Sequence, residues 1–330
     1  FLPPFLRLLG TKIGPRAELS SIWYFAPELT EIAAESFFAD GSIVGGKRLF
    51  RGRFEVGKNR IGRRSFVGNS AILPTGTGLG DRCLLGVNSI PPVTPGAEGT
   101  STPDGTEWLG SPAFSLPRRP VVGNFDESLT FQPTPKLYAQ RAVIDSLRIL
   151  IPSYIGLFSS VAGLLAMNAA YVRYGLVGML LASPLITLSL ALLATLIVVA
   201  LKWLVMGTFK PIIKPLWSPY VWLNEMVNGA YESVMAPAIA PFLGTPFIAF
   251  FLRLLGCRIG KACYIETTLF SEFDLVQIGD YAALNMGAVI QNHLFEDRVM
   301  KSSYLKIGDE CAVGNMAVVL YDSEMGPRSS

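Results

Sequence analysis

From Ile61 to Leu85 an aliphatic residue returns at every sixth position: Ile61, Val67, Leu73, Leu79 and Leu85. Glycine follows four of the five, at Gly62, Gly68, Gly80 and Gly86, and a small side chain (Ser65, Ala71, Thr77, Cys83) stands two residues before each later aliphatic. A helix repeats about every 3.6 residues and a two-sided strand every 2, so neither accounts for a period of six. A solenoid whose flat faces each take six residues does. The aliphatic side chain points into a narrow core, the small one lies at the crowded wall, and Gly or Asn takes the positive φ at the corner. The pattern predicts a left-handed parallel β-helix of hexapeptide repeats.

Repeat-like residues precede this run at Ile13, Leu19, Ile32, Phe38 and Val44, followed by a basic excursion (Lys47, Arg48, Arg51, Arg53) that interrupts the coil and is expected to project as a loop. Pro91 to Pro135 is rich in Pro, Gly, Ser and Thr and reads as a long irregular stretch. A helical lead-in, Leu137 to Arg148, then opens two apolar stretches, Ile149 to Tyr171 and Leu176 to Leu201. Each exceeds the roughly 20 residues that cross a bilayer, and the short connection at Arg173 and Tyr174 makes them a helical hairpin. Lys136, Arg141 and Arg148 precede the hairpin and Lys202, Lys210 and Lys214 follow it, so the positive-inside bias puts both outer ends, and the β-helix domains, in the cytoplasm of a multi-pass membrane protein. Pro152 and Pro184 are tolerable in membrane helices. The next segment carries Trp217, Tyr220, Trp222 and Tyr231 among prolines, and amphipathic aromatics beside a span suggest a segment lying in the membrane interface.

Then the beginning returns. Phe251-Leu252-Arg253-Leu254-Leu255-Gly256 repeats Phe5-Leu6-Arg7-Leu8-Leu9-Gly10 letter for letter, and the same constant offset pairs Ile259-Gly260 with Ile13-Gly14 and Val313-Gly314-Asn315 with Val67-Gly68-Asn69. The expected fold is therefore all-β, a left-handed parallel β-helix in two copies separated by a transmembrane α-helical hairpin. The segments run 1–135 (first β-helix and its Pro/Gly-rich terminal loop), 136–205 (lead-in and hairpin), 206–246 (interfacial segment) and 247–330 (second β-helix, incomplete). The chain opens on Phe and stops within a repeat still in register, as a piece of a longer polypeptide would.

Composition supports the membrane reading. Half of the 330 residues are hydrophobic and only 16% are charged, with a positive mean hydropathy of +0.41. A net charge of +3 without a clustered basic face carrying aromatics argues against nucleic acid as a partner. The four cysteines, Cys83, Cys257, Cys263 and Cys311, all stand in the small-residue slot of the six-residue pattern and read as free core residues. With one histidine and no zinc-type spacing, no metal is expected.

In the second copy the pattern runs Ile278, Leu284, Ile290, then resumes at Ile307, and the loop Gln291 to Lys301 lies between. It carries His293, the chain's single histidine. An amine or hydroxyl acceptor must lose a proton as it attacks an acyl carbonyl, and a neutral imidazole is the natural base. Glu296 or Asp297 could fix its tautomer. Arg298 or Lys301 could pair with those carboxylates or with an anionic substrate, and Asn292 is a candidate substrate or donor contact. In the first stretch, Trp108-Leu109-Gly110-Ser111-Pro112-Ala113 looks like the terminal segment of hexapeptide acyltransferases, where the backbone doubles back beside the acyl-donor groove.

Together the coil, the Phe295-Glu296-Asp297-Arg298 string, the hairpin and the Trp108 segment resemble the tandem C-terminal part of the membrane-bound nonribosomal-peptide-synthetase-like proteins, of the ε-poly-lysine synthetase type. The resemblance implies adenylation and carrier domains upstream, a donor held as a phosphopantetheine thioester on a carrier outside this chain (or as CoA), and a peptide-like amide product. It makes His293 the acceptor-activating base, with Glu296, Asp297 and Arg298 supporting it, and it admits a trimer-like arrangement of tandem β-helix domains. The constant offset places Lys47, not histidine, opposite His293, so the first copy reads as non-catalytic or as a donor-binding copy that uses Lys47 and Trp108. Two rivals stand beside the acyl- or aminoacyltransferase reading: a CoA-dependent O- or N-acetyltransferase at the membrane, and a β-helix scaffold without chemistry.

Overall fold

A computed structural model describes residues 2–92, 100–117 and 125–330. The chain divides into two compact units, Phe1–Glu127 with Glu296–Arg298, and Ser128–Phe295 with Val299–Ser330.

In the first unit the chain opens on helix α1 (Leu2–Leu8) and then lays short strands on three sheets in turn. One sheet pairs Lys12–Ile13, Thr30–Ile32, Asn59–Ile61 and Thr77–Leu79 in parallel. A second pairs Glu18–Leu19, Phe37–Phe38, Phe66–Val67, Leu84–Leu85 and Glu107–Leu109. The third holds Ile22–Phe25, Ser42–Gly46 and Ile72–Pro74. Ile61 faces Leu79 and Val67 faces Leu85, so three six-residue steps bring the chain back over itself. The periodic aliphatics Ile32, Phe38, Val44, Ile61, Val67, Leu73, Leu79 and Leu85 form one buried cluster with Ala71 and Cys83.

The glycines work differently from the expectation. The left-handed corners are taken by Arg16, Glu35, Arg64, Ser70, Arg82 and Asn88, not by Gly62, Gly68, Gly80 or Gly86. Those glycines permit close stacking instead. A methyl group on Gly62 would come within 2.4 Å of the Gly80 carbonyl, and one on Gly68 within 2.7 Å of Gly86.

In the second unit the repeated segment forms the same elements: Arg258–Ile259, Val276–Ile278 and Leu305–Ile307 in one parallel sheet, Tyr264–Ile265, Ala283–Leu284 and Ala312–Val313 in another, and Val289–Gln291 with Val318–Leu320 in a third. Before them come α2 (Pro135–Val205), α3 (Pro219–Ala230), α4 (Ala236–Ile239) and α5 (Pro246–Leu254). Gly175, at φ 69 and ψ −172, breaks α2 into two arms. A methyl group on Gly163 of the first arm would lie 3.2 Å from Leu190 of the second, so the arms fold back on each other. The element is long and apolar enough to cross a membrane.

The expectation of an all-β chain, a left-handed parallel β-helix in two copies, is overturned. The sheets are mixed. Arg48–Phe50 pairs antiparallel with Arg53–Glu55, Glu107–Leu109 with Phe114–Ser115, and Ile212–Pro215 with Val299–Ser302, while α2 is the longest single element. The period of six speaks only for the stretches that carry it. The excursions at Lys47 and Gln291 close as tight two-residue turns, and chain reversal over so short a turn pairs strands antiparallel.

In 206–246, expected as an interfacial segment, Trp217, Trp222 and Tyr231 are buried within the protein. The Trp222 indole donates to the Leu216 carbonyl at 3.0 Å and the Tyr231 hydroxyl to the Thr268 carbonyl at 2.7 Å. The Trp222 and Tyr231 rings thus satisfy their polar ends within the protein, as buried Trp and Tyr usually do. The irregular stretch expected from Pro91 to Pro135 lies partly outside the described residues. Its described part carries strands at Thr100–Ser101, Glu107–Leu109 and Phe114–Ser115 and a 3₁₀ turn at Glu127–Leu129.

Candidate functional site

Between Ile265 and Val276 of the second unit the strand pattern lapses, and the chain turns through Glu272 in a left-handed conformation (φ 37, ψ 57) before the 3₁₀ turn Phe273–Leu275. A non-glycine residue held there is costly unless its surroundings fix it. Here they do. Glu272 is fully buried; its Oε1 accepts from Asn224 Nδ2 at 2.7 Å and its Oε2 lies 2.8 Å from His293 Nδ1.

Asn224 projects from α3, and its own Oδ1 accepts from Asn228 Nδ2, one turn on, at 3.3 Å. The Ser271 hydroxyl also bonds Glu272 and accepts from the Asn292 main-chain N–H at 3.3 Å. Burial pushes the Glu272 carboxyl up, but the His293 imidazole and the hydrogen bonds from His293, Asn224 and Ser271 outweigh it and hold the group below its ordinary value. Tyr220, one turn before Asn224, is pushed up to about 12 by burial and by Glu272 and Asp274.

The chemistry follows from the donor count. An ionised carboxylate only accepts, so His293 Nδ1 must carry the hydrogen, and a neutral ring then offers a lone pair at Nε2. His293 keeps 19% of its side chain exposed whereas Glu272 keeps none. A partly exposed imidazole is thus oriented by a carboxylate that solvent cannot reach. The ring also packs edge-on to Phe295, 5.3 Å between centroids.

The other residues proposed from sequence are dispersed. Glu296, Asp297 and Arg298 group with the first unit, and Asp297 and Arg298 form the tip of the turn with φ of 47° and 62°. Glu296 is buried and Asp297 exposed. Arg298 donates to the carbonyls of Arg16 at 2.8 Å and of Glu35 and Ser36 at 3.2 Å, and it pairs with Glu18. The carboxylate on His293 Nδ1 is Glu272.

Asn292 is buried and donates from Nδ2 to the Ser303 carbonyl at 3.3 Å. Lys301 is half-buried on the strand opposite Ile213. In the first unit Lys47 is exposed, 6.0 Å from the Phe54 ring, and Trp108 packs on the periodic core with its indole donating to Thr106 Oγ1 at 2.9 Å.

Sequence reasoning missed Glu272 and Asn224. A signal for the first existed: at the constant offset Glu272 stands opposite Ala26 and His293 opposite Lys47, so acid and base are absent together from the first copy. For Asn224 the trace is a polar row, Tyr220, Asn224 and Asn228, one turn apart on a helix that is otherwise largely apolar.

No protein-family model matches the chain. It is similar to the delta-poly-L-ornithine synthetase of Acinetobacter baumannii (strain AB307-0294), at 37% identity over 330 residues that cover 98% of the chain and 24% of the relative. The chain therefore spans about a quarter of the length of that poly-amino-acid synthetase.

Proposed function

We propose that this chain is the membrane-attached acyl- or aminoacyltransferase part of a poly-amino-acid synthetase-like protein, with His293 as general base and Glu272 as its orienting carboxylate. The observation that carries the reading is the hydrogen-bonded series from Asn224 through the fully buried Glu272 to the partly exposed His293. The similarity to a protein named for poly-L-ornithine synthesis favours a diamino acid, or the end of a chain of them, as the acceptor.

Donor and acceptor chemistry then run as follows. The acceptor amine attacks the carbonyl of a thioester held on phosphopantetheine or CoA. His293 Nε2 takes the proton released as the C–N bond forms, while Glu272 stabilises the imidazolium through Nδ1. The C–S bond breaks, and the leaving sulfur receives that proton and departs as a thiol. Adenylation and carrier domains elsewhere in the parent protein load the donor. In this reading the two arms of α2 cross the bilayer separately, with both outer ends in the cytoplasm, and hold the reaction at the membrane.

The test uses the intact parent protein in membranes, supplied with an aminoacyl-pantetheine thioester and free amine, with product followed by mass spectrometry. His293→Ala should lose about 10²–10⁴-fold in rate, the size of a general-base contribution. Full activity in that variant would move the base elsewhere. A folded wild-type protein that makes product only from acetyl-CoA, or none from either donor, would overturn the aminoacyl reading.

A further inference from the structure

The corners of the first unit carry charges that its fold does not require. Arg16, Glu35, Arg64 and Arg82 take successive left-handed corner positions with φ of 58°, 65°, 55° and 53°. Main-chain bonds set them one above another: Glu35 N–H to the Pro15 carbonyl at 3.0 Å, Arg64 to Ala34 at 3.1 Å and Arg82 to Arg63 at 2.8 Å. The corresponding corners of the second unit are Ala262, Tyr281, Glu310 and Arg328, with φ of 50°, 57°, 56° and 61°. The same backbone is thus built with one arginine as readily as with three, and the arginine column is a property of the first copy's chemistry.

One buried carboxylate organises it. Glu35, 4% exposed, accepts from Arg64 Nε at 2.6 Å and Arg63 Nη2 at 3.1 Å, and its Oε1 lies 3.6 Å from Arg16 Nη1. Burial pushes the Glu35 carboxyl up, and the Arg64 and Arg63 hydrogen bonds more than reverse that. Glu127 meets the other side of Arg64 at 2.9 Å. The Asp81 carboxylate accepts from the Arg63 main-chain N–H at 2.7 Å. Arg63 and Arg16 remain 56% and 43% exposed, and Arg82 is exposed and makes no ion pair among the described residues.

Guanidinium groups crowded on a single carboxylate repel one another, and a positive surplus held rigidly at the surface is the arrangement that recognises phosphate oxygens. Here Glu35 fixes the forks of Arg63 and Arg64 from within, so little rotamer freedom remains to be lost on binding.

We propose that this arginine column is a binding site for a phosphate-bearing ligand. It sits in the unit that lacks the acid and base of the second copy, and it stands whether or not His293 is the base.

Titration calorimetry on the whole chain, in detergent micelles free of phospholipid, tests it with three probes: inorganic phosphate, 4′-phosphopantetheine and pantetheine without its phosphate. Both phosphate-bearing probes should bind, and pantetheine should not. The double variant Arg63→Gln with Arg82→Gln should weaken binding at least tenfold while the melting temperature holds, and Arg328→Gln in the second copy should leave it unchanged. Phosphopantetheine binding tighter than inorganic phosphate assigns the site to a carrier or coenzyme arm; equal binding assigns it to free phosphate. Pantetheine binding as well as its phosphate ester, unchanged binding in the double variant, or no binding of either phosphate probe to the wild type would overturn the proposal. Transfer activity lost in His293→Ala with phosphate binding intact separates this site from the transfer chemistry.

Discussion

Replacing Glu272 tests the site through stability alone, before any substrate is known. The carboxylate is fully buried and takes hydrogen bonds from Asn224 at 2.7 Å and from Ser271, beside the 2.8 Å contact with His293. Glu272→Ala leaves three polar partners facing a void, and breaking a buried pair in this way costs about 3–5 kcal/mol. Asn224→Ala removes one hydrogen bond to a charged acceptor and costs about 1.5–3 kcal/mol. In a unit of roughly 200 residues each kcal/mol lowers the midpoint by about 2–4 °C, so Glu272→Ala should lower it by about 6–20 °C and Asn224→Ala by about 3–12 °C.

The pH dependence has a definite sign. The folded carboxyl lies below its ordinary 4.5, so the folded state binds the proton less readily than the unfolded state. The stability it contributes is complete above pH 4.5 and is lost as pH falls through the folded value. The gap between wild type and Glu272→Gln, followed by intrinsic fluorescence during heating in detergent, should therefore close as pH falls from 4.5 through the folded value. A shift below about 1 °C for Glu272→Ala at neutral pH, or a gap that stays open once pH is well below 4.5, would refute the buried, ionised carboxylate.

Gly62→Ala should destabilise the first unit by about 1–3 kcal/mol, seen as earlier thermal unfolding, because its methyl would lie 2.4 Å from the Gly80 backbone. Asp274→Ala should cost about 3–5 kcal/mol by stranding the fully buried Lys202, whose Nζ lies 2.6 Å from Asp274 Oδ2; the double change Lys202→Met with Asp274→Leu should recover most of the loss in the same melt. All four cysteines are buried and burial raises the Cys257 thiol, so an aromatic disulfide reagent at neutral pH should label none in the native protein within minutes and all four after denaturation. An Arg173→Cys variant should react with a membrane-impermeant maleimide from outside intact cells, and a Lys136→Cys variant only after lysis; the reverse pattern would invert the orientation, and reaction of both from the same side would refute two crossings by α2.

The parts of the fold legible in the sequence were those that a period could report. Ile61, Val67, Leu73, Leu79 and Leu85 are buried side by side because each occupies an equivalent inward position on successive faces. The role of the following glycine was misread, since period alone does not distinguish a corner from a close contact. Main-chain stacking at Gly62 needs the absence of a side chain, whereas the left-handed corners tolerate Arg, Glu and Ser. The aromatic segment is a related case. Trp217 and Trp222 have the composition of an interface belt, and only tertiary packing settles that their rings are enclosed. His293 was legible as a candidate because it is unique and interrupts a pattern. Its partner was not, because the carboxylates beside it in the chain are Glu296 and Asp297, whereas Glu272 stands 21 residues earlier and reaches the imidazole through folding alone.

Comparison of the two copies carries the argument further than either alone. Their strands fall at the same constant offset, and both excursions close as hairpins with left-handed tips, at Arg51–Gly52 and at Asp297–Arg298. Backbone geometry therefore constrains the hydrophobic positions and leaves the corners and the ring-bearing positions free to change. At those free positions the copies differ as sets. The second has Glu272 and His293 where the first has Ala26 and Lys47, and the first has Arg16, Glu35 and Arg64 where the second has Ala262, Tyr281 and Glu310. A buried Glu272 without His293 is destabilising, so the two are kept or replaced as a pair, and Ala26 with Lys47 is such a joint replacement. The first copy lacks that pair and instead organises a different charged cluster around Glu35, and this difference between the copies is what the transfer and phosphate-binding assays read separately.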